Sequence, residues 1–193
     1  MQARAHDAGI LDALEALSPV ASQGSVWRVT RAGRDALQAS TAPGRWSPGG
    51  DVEVLYTSLE RAGALAEIGF RLSLEPVWPS RMAHEVHWIE AGTRRSLRFG
   101  DVASLVPLGV DPARWSGFDY DATRAIAAAA HFLEFDGLIV PSARADCANL
   151  VVFVGNLEGD GSLTLRETQP VDWVAWRAAG TLGFDTNRPK IDP

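Results

Sequence analysis

A single cysteine, Cys147, stands in the 193-residue chain, so no disulfide can form within it and no Cys-x-x-Cys pair offers itself for zinc or redox work. Long apolar runs are also missing. The densest, Ala125–Ala130 and Leu138–Pro141, fall far short of the ~18 consecutive apolar residues of a membrane-spanning helix. Met1–Leu17 mixes His6, Asp7, Asp12 and Glu15 among its apolar residues and lacks both the basic start and the apolar middle of a secretory signal, so a cytoplasmic protein is expected. Positive charge is in deficit as well: the formal net charge is -6 and the pI is near 5.2. That balance disfavours direct nucleic acid binding, which calls for a basic face. Arg94, Arg95 and Arg98 form the only tight basic cluster, and it reads as a solvated strand face. No GxxxxGKS/T or GxGxxG stretch precedes a helix, so a nucleotide would have to be held without a P-loop or a Rossmann turn.

What the chain does contain is enough for one globular domain: 46% hydrophobic and 22% charged residues, at a mean hydropathy of -0.04. Ile10, Leu11, Leu14 and Leu17 recur at helical spacing until Ser18-Pro19 and predict an amphipathic helix, an N-terminal extension over residues 1–24. Val26–Thr30 predicts a strand, Arg31–Ser40 is ambiguous, and Ala42–Gly50 is a breaker-rich loop. Val52–Tyr56 alternates as a strand. Thr57-Ser58-Leu59-Glu60 then has the spacing of a capping box, opening a helix that turns Leu65, Ile68 and Leu72 inward. Ser73–Gly100 predicts strands separated by prolines, with Val86, Trp88, Leu97 and Phe99 inward. Asp121–Glu134 is an alanine-rich helix; Phe135–Val140, Asn149–Val154 and Leu163–Arg166 are strands, and Val171–Ala179 is a last helix before a loose tail. Strands and helices without regular alternation predict an α+β fold, a single domain of mixed or antiparallel sheets spanning 25–180, with a C-terminal tail over 181–193.

Several chemical constellations read weakly. His84 and His87 are three apart on an expected strand, which points them to opposite faces, whereas zinc-binding histidine pairs on a helix stand four apart; they read as ordinary, partly exposed histidines. Ser142 lacks a GxSxG elbow. Cys147 with His131 would make a nucleophile and base, but a small core cysteine is the simpler reading. The seven tryptophans read as core residues.

One ordered series is more specific. It runs from Arg28 on the first strand to Gly44-Arg45-Trp46 in the loop, then Leu55-Tyr56-Thr57-Ser58 at a strand end and Ala64-Leu65-Ala66-Glu67 on the next helix. Asp136-Gly137-Leu138-Ile139-Val140-Pro141-Ser142 and the segment from Arg144 to Asn149 complete it. In order and spacing this series resembles the RES domain, the toxin half of a family of bacterial toxin–antitoxin pairs, over approximately Val26–Phe153.

The resemblance implies a fold similar to ADP-ribosyltransferases and an activity on NAD. That activity is cleavage of the nicotinamide–ribose bond by phosphorolysis or hydrolysis; the alternatives are ADP-ribosyl transfer to a protein and a noncatalytic nucleotide- or partner-binding module. NAD would be a substrate and not a recycled cofactor, with inorganic phosphate a possible co-substrate. Nicotinamide leaves as a neutral ring, so the chemistry needs no general acid; it needs a carboxylate against the positive charge that builds on the ribose. The resemblance gives this role to Glu67. It gives the pyrophosphate to Arg28 and Arg45, in keeping with a chain rich in arginine and poor in lysine. Tyr56 would face the nicotinamide ring, Ser142 and Asn149 would fix the ribose or amide, and Arg144 would receive an incoming phosphate. The implied partner is a helix-turn-helix antitoxin of the Xre family.

Periodicity by itself does not find this site. A helical wheel places Glu67 away from Leu65, Ile68 and Leu72 and beside Glu60 and Arg71, the pattern of a solvated residue. Arg28 alternates against its apolar neighbours as any half-exposed strand residue would. Tyr56 also fits a sheet aromatic, Ser142 a turn, and Arg144 a surface ion pair. Two features depart from the family pattern: Val29 stands where many members carry a tyrosine, and Ala143–Ala148 replaces a usually glycine-rich stretch.

Overall fold

The computed structural model describes residues 6–157 and 162–180. The predicted tail, 181–193, lies outside the described residues. The elements in chain order are α1 (Ala8–Glu15), β1 (Val20–Arg31), β2 (Val54–Ser58), α2 (Arg61–Ser73), β3 (His84–Arg98), α3 (Asp121–Phe132), β4 (Gly137–Pro141), β5 (Ala148–Phe153), β6 (Leu163–Pro170) and α4 (Trp173–Ala178). Short 3-10 turns at Ala103–Leu108 and Pro112–Arg114 bridge β3 to α3.

The sheet is mixed, as the composition of elements predicts. Strand order is β1-β2-β5-β4-β3-β6, and β3 also pairs with β1, so five strands close on themselves and β6 is added outside. Only β3 and β4 run parallel; the other pairings are antiparallel. The closure follows from alternation. Val26, Leu55, Ile89, Ile139 and Leu150, one from each ring strand, meet in an enclosed apolar cluster together with Ala91 and Val152. Their neighbours Val54, Leu138, Val140, Val151 and Phe153 point the other way, into a second core under α3 and α1. β2, β4 and β5 therefore read as near-continuous apolar runs because both of their faces are covered.

Four expectations change. The described part of the expected N-terminal extension, residues 6–24, is built into the domain: Leu14 is fully buried in the core shared with α3, and Val20–Gly24 already belong to β1. The capping box does not form. Thr57 and Ser58 are still strand, Thr57 Oγ1 donates across to the Leu150 carbonyl at 2.7 Å, and Glu60 occupies the N-cap of α2 with no side-chain cap bond. The prolines of the middle segment, Pro76 and Pro79, precede one unbroken 15-residue strand instead of dividing several. That length lets β3 pair with β1, β6 and β4 at once. Finally, His84 and His87 are buried, not partly exposed. Trp173 Nε1 donates to His84 Nδ1, while His87 bonds Thr30 and Thr168 on the flanking strands, so the two imidazoles serve separate contacts.

Candidate active site

The site grows from the ends of three adjacent strands. Register places Asn149 of β5 between Ser58 of β2 and Val140 of β4, and Ser142 follows two residues after Val140. α2 starts three residues beyond β2 and brings Glu67 across this end of the sheet. It can approach because Gly63 has no side chain: a Cβ there would lie 2.3 Å from Cys147 Sγ and 2.4 Å from Ser58 Oγ. Glu67 Oε1 then accepts two hydrogen bonds, from Ser142 Oγ at 2.8 Å and Asn149 Nδ2 at 3.1 Å. Ser142 Oγ in turn accepts the Arg144 backbone N–H at 3.1 Å, which sets its hydroxyl proton toward the carboxylate. Among the described residues nothing donates to Glu67 Oε2.

Glu67 lines a cleft of about 290 Å³, near the lower end of the range for small-molecule sites. Arg28 enters it from β1. Its Nη2 donates to the Gln38 carbonyl at 2.9 Å, while Nη1 is buried and, among the described residues, takes no partner. Burial pulls its pKa below the ordinary value, with Asp35 partly offsetting; the guanidinium is still a cation at neutral pH. Arg45 contributes a second guanidinium, 4.6 Å from the ring centroids of both Trp115 and Tyr120 and donating to the Gly117 carbonyl at 3.1 Å. Its pKa is likewise lowered, chiefly by burial. Arg144 stacks 3.5 Å above the Phe70 ring and donates to the Ser116 carbonyl at 2.8 Å, tying the β4–β5 hairpin to α2 and to the loop before α3. A bracing role for Arg144 is thus visible in contacts that a surface ion pair would not make.

Tyr56 explains the Gly-Arg-Trp segment. Its hydroxyl accepts the Trp46 backbone N–H at 2.7 Å, and a Cβ on Gly44 would come within 2.9 Å of that same oxygen. The glycine lets the loop lie on the tyrosine, which holds Arg45 at the cleft. Burial pushes the Tyr56 phenol well above its ordinary pKa, so it stays protonated.

Of the seven residues singled out from the sequence, Arg28, Arg45, Tyr56, Glu67, Arg144 and Asn149 line one cleft, and Ser142 is bonded to Glu67 at its edge. Four further lining residues escaped the sequence reading: Phe70 and Arg71 of α2, and Phe118 and Tyr120 in the loop before α3. Arg71 lies one helical turn after Glu67 on the same side, a signal that was present. Phe118 and Tyr120 sit in a breaker-rich connection with no periodicity to mark them. Cys147 does not meet His131; it is half-buried beside Ser58, at 3.5 Å, and burial raises its thiol pKa. Chemically, the arrangement sets a fixed carboxylate among several guanidiniums. It suits a ligand that is anionic along its length and gains positive charge at one point.

No helix among the described residues is long and apolar enough to cross a membrane. No curated protein matches the sequence. Among solved structures, the chain is similar to one in the crystal structure of the M. tuberculosis MbcT–MbcA toxin–antitoxin complex. The two are 22% identical, the match covers 89% of this chain and 97% of that one, and the TM-score is 0.79. At that identity the likeness speaks for the fold. The family described as the RES domain matches residues 25–173, most of the chain and the whole cleft. The chain therefore belongs to the RES domain family.

Proposed function

We propose that this protein is the toxin of a toxin–antitoxin pair and that it degrades NAD by cleaving the nicotinamide–ribose bond. The observation that carries the reading is the Glu67 carboxylate, held at one oxygen by Ser142 and Asn149 in a cleft that Arg28 and Arg45 also line. In the reaction the C1′–N bond breaks and its electron pair goes to the pyridinium nitrogen, so nicotinamide departs neutral. Positive charge is left on C1′ and the ring oxygen of the ribose. Glu67, through Oε2, opposes that charge or accepts from a ribose hydroxyl, while the arginines neutralise the pyrophosphate. Phosphate or water then adds at C1′. In this reading Arg144, a lining residue whose backbone N–H bonds Ser142 Oγ, would receive an incoming phosphate.

The likeness to a toxin–antitoxin complex supports an antitoxin as partner. For a RES-type toxin we expect one of the Xre helix-turn-helix family. The acidic toxin would leave DNA contacts to that partner.

The test is NAD consumption by the purified chain with and without inorganic phosphate, products followed by mass. Loss only with phosphate, yielding ADP-ribose phosphate, marks a phosphorylase. Loss in both, yielding free ADP-ribose, marks a glycohydrolase. Folded protein that consumes NAD in neither buffer sinks the proposal.

A further inference from the structure

Arg45 lies at the turn of a breaker-rich loop, and both peptide groups that flank it are held by side chains from other elements. The peptide after it gives the Trp46 N–H to the Tyr56 hydroxyl. The peptide before it gives the Gly44 carbonyl to Arg124 of α3, whose Nε donates at 2.9 Å. Arg124 stands in the first turn of that helix, and its backbone N–H donates at 2.8 Å to the carbonyl of Tyr120, the residue that opens the turn. Its guanidinium carbon is 5.5 Å from the centroid of the Tyr120 ring, the same ring that receives Arg45 at 4.6 Å. The start of α3 thus grips Arg45 at both ends, by its peptide and by its guanidinium.

We infer that Arg124 is a positioning residue for Arg45: it fixes the peptide plane from which the Arg45 side chain springs and so sets where that cation stands in the cleft. The inference rests on the NAD reading, in which Arg45 meets the pyrophosphate, and extends it to a residue that does not line the cleft. Support of α3 alone does not account for an arginine here. A cation in the first turn of a helix is opposed by the macrodipole, and among the described residues Arg124, half-buried, makes no ion pair that would offset this. Its two side-chain contacts instead lead to Gly44 and Tyr120, both of which carry Arg45. Gly44 needs such a hold. Glycine is the residue with the most backbone freedom, and a side chain at this position would strike the Tyr56 hydroxyl, 2.9 Å from where a Cβ would lie. The loop therefore keeps its glycine and takes its rigidity from a donor outside it.

The experiment is NAD turnover and calorimetric NAD binding by the full chain, wild type against Arg124→Met and Arg124→Gln, each also made in an Arg45→Ala background. Arg124→Met has no donor where Nε was. It should raise KM and Kd about tenfold and leave kcat within about twofold, because Arg45 binds substrate and transition state alike. Arg124→Gln has an amide nitrogen the same number of bonds from the backbone as Nε, without the charge, and should stay within about threefold of wild type. Without Arg45, Arg124→Met should add less than about twofold, since a residue that acts through another has nothing left to position. Should Arg124→Met fail to fold, Arg124→Lys, with a methylene at the place of Nε, replaces it in the same series. An Arg124→Gln enzyme as weak as Arg124→Met would overturn the inference, because charge and not the hydrogen bond would then be at work. An Arg124→Met effect of the same size without Arg45, or one seen only in kcat or in the melting temperature, would overturn it too. NAD turnover and binding that Arg124→Met leaves untouched would sink this inference alone. A wild-type chain that neither binds nor consumes NAD sinks the NAD reading and takes the inference with it.

Discussion

Asp136 and Glu67 each accept a hydrogen bond from a serine hydroxyl, and the two carboxylates are used in opposite ways. Asp136, just before β4, is buried and spends both oxygens: Oδ2 accepts the backbone N–H groups of Arg94 and Arg95, and Oδ1 accepts the Ser96 hydroxyl. It pins β3 where that strand hands over to β4. Glu67, half-buried at the cleft, spends one oxygen on Ser142 and Asn149, and among the described residues its other oxygen accepts nothing. A carboxylate whose acceptor capacity is consumed by the fold is architecture. One that is anchored with capacity to spare is suited to chemistry. The same contrast separates the enclosed apolar cluster of Leu55, Ile139 and Leu150 from the cleft, which the charged side chains of Arg28, Arg45, Glu67 and Arg71 line.

Substituting each carboxylate tests the contrast. Glu67→Gln keeps the shape of the side chain and removes its charge. It should cut NAD turnover by about 1,000-fold or more while thermal unfolding shifts by no more than a few degrees. A Glu67→Gln enzyme with near wild-type turnover would refute the role given to Glu67. Asp136→Ala should do the reverse: two backbone donors and a hydroxyl lose their acceptor, costing about 3 kcal/mol in urea unfolding, with turnover per folded molecule close to normal. Ser142→Ala sits between them. It frees one of the two anchors on Glu67 Oε1 and should lower kcat about 10- to 100-fold with little change in KM, because a mispositioned group costs the transition state more than binding.

The smallest expected effect is on pH dependence. Burial holds His84, His87 and His131 below the ordinary imidazole value of 6.5. Below that pH the unfolded chain takes up protons that the folded chain refuses. Stability is thus full above about 6.5 and declines as the pH drops toward the folded-state values. His87→Gln, which removes one of these groups, should make the melting temperature less steep between pH 6.5 and 5. An equally steep curve would assign the acid loss to other groups.

Much of the fold could be read from residue patterns. The alternation in Val52–Tyr56 and the short apolar runs of Phe135–Val140 and Asn149–Val154 gave strands in nearly their observed places, because a strand covered on one face alternates and one covered on both faces is apolar throughout. The spacing of Leu65, Ile68 and Leu72 likewise gave α2. The capping-box reading failed because Thr57 has a better partner in the neighbouring strand than in its own helix, and a local pattern cannot know which strand will lie beside it. The same holds for the long β3, whose pairing with three strands is a fact of the whole sheet. The helical wheel was right that Glu67 lies opposite the apolar stripe of α2. It could not tell that this polar side meets the β4–β5 hairpin and not solvent.

By itself the sequence determined the element types, the absence of disulfide or P-loop chemistry, and, through an ordered set of motifs, the family. Those follow from local sterics, hydrophobic periodicity and residue type, which travel along the chain. Only the tertiary structure decided that Glu67 is anchored at one oxygen and that Gly63 and Gly44 are the points of close approach. It alone decided that Arg45 is held by aromatic rings from a loop some 70 residues away. Those depend on which segments the closing sheet brings side by side, and distance in space is what a linear pattern does not carry.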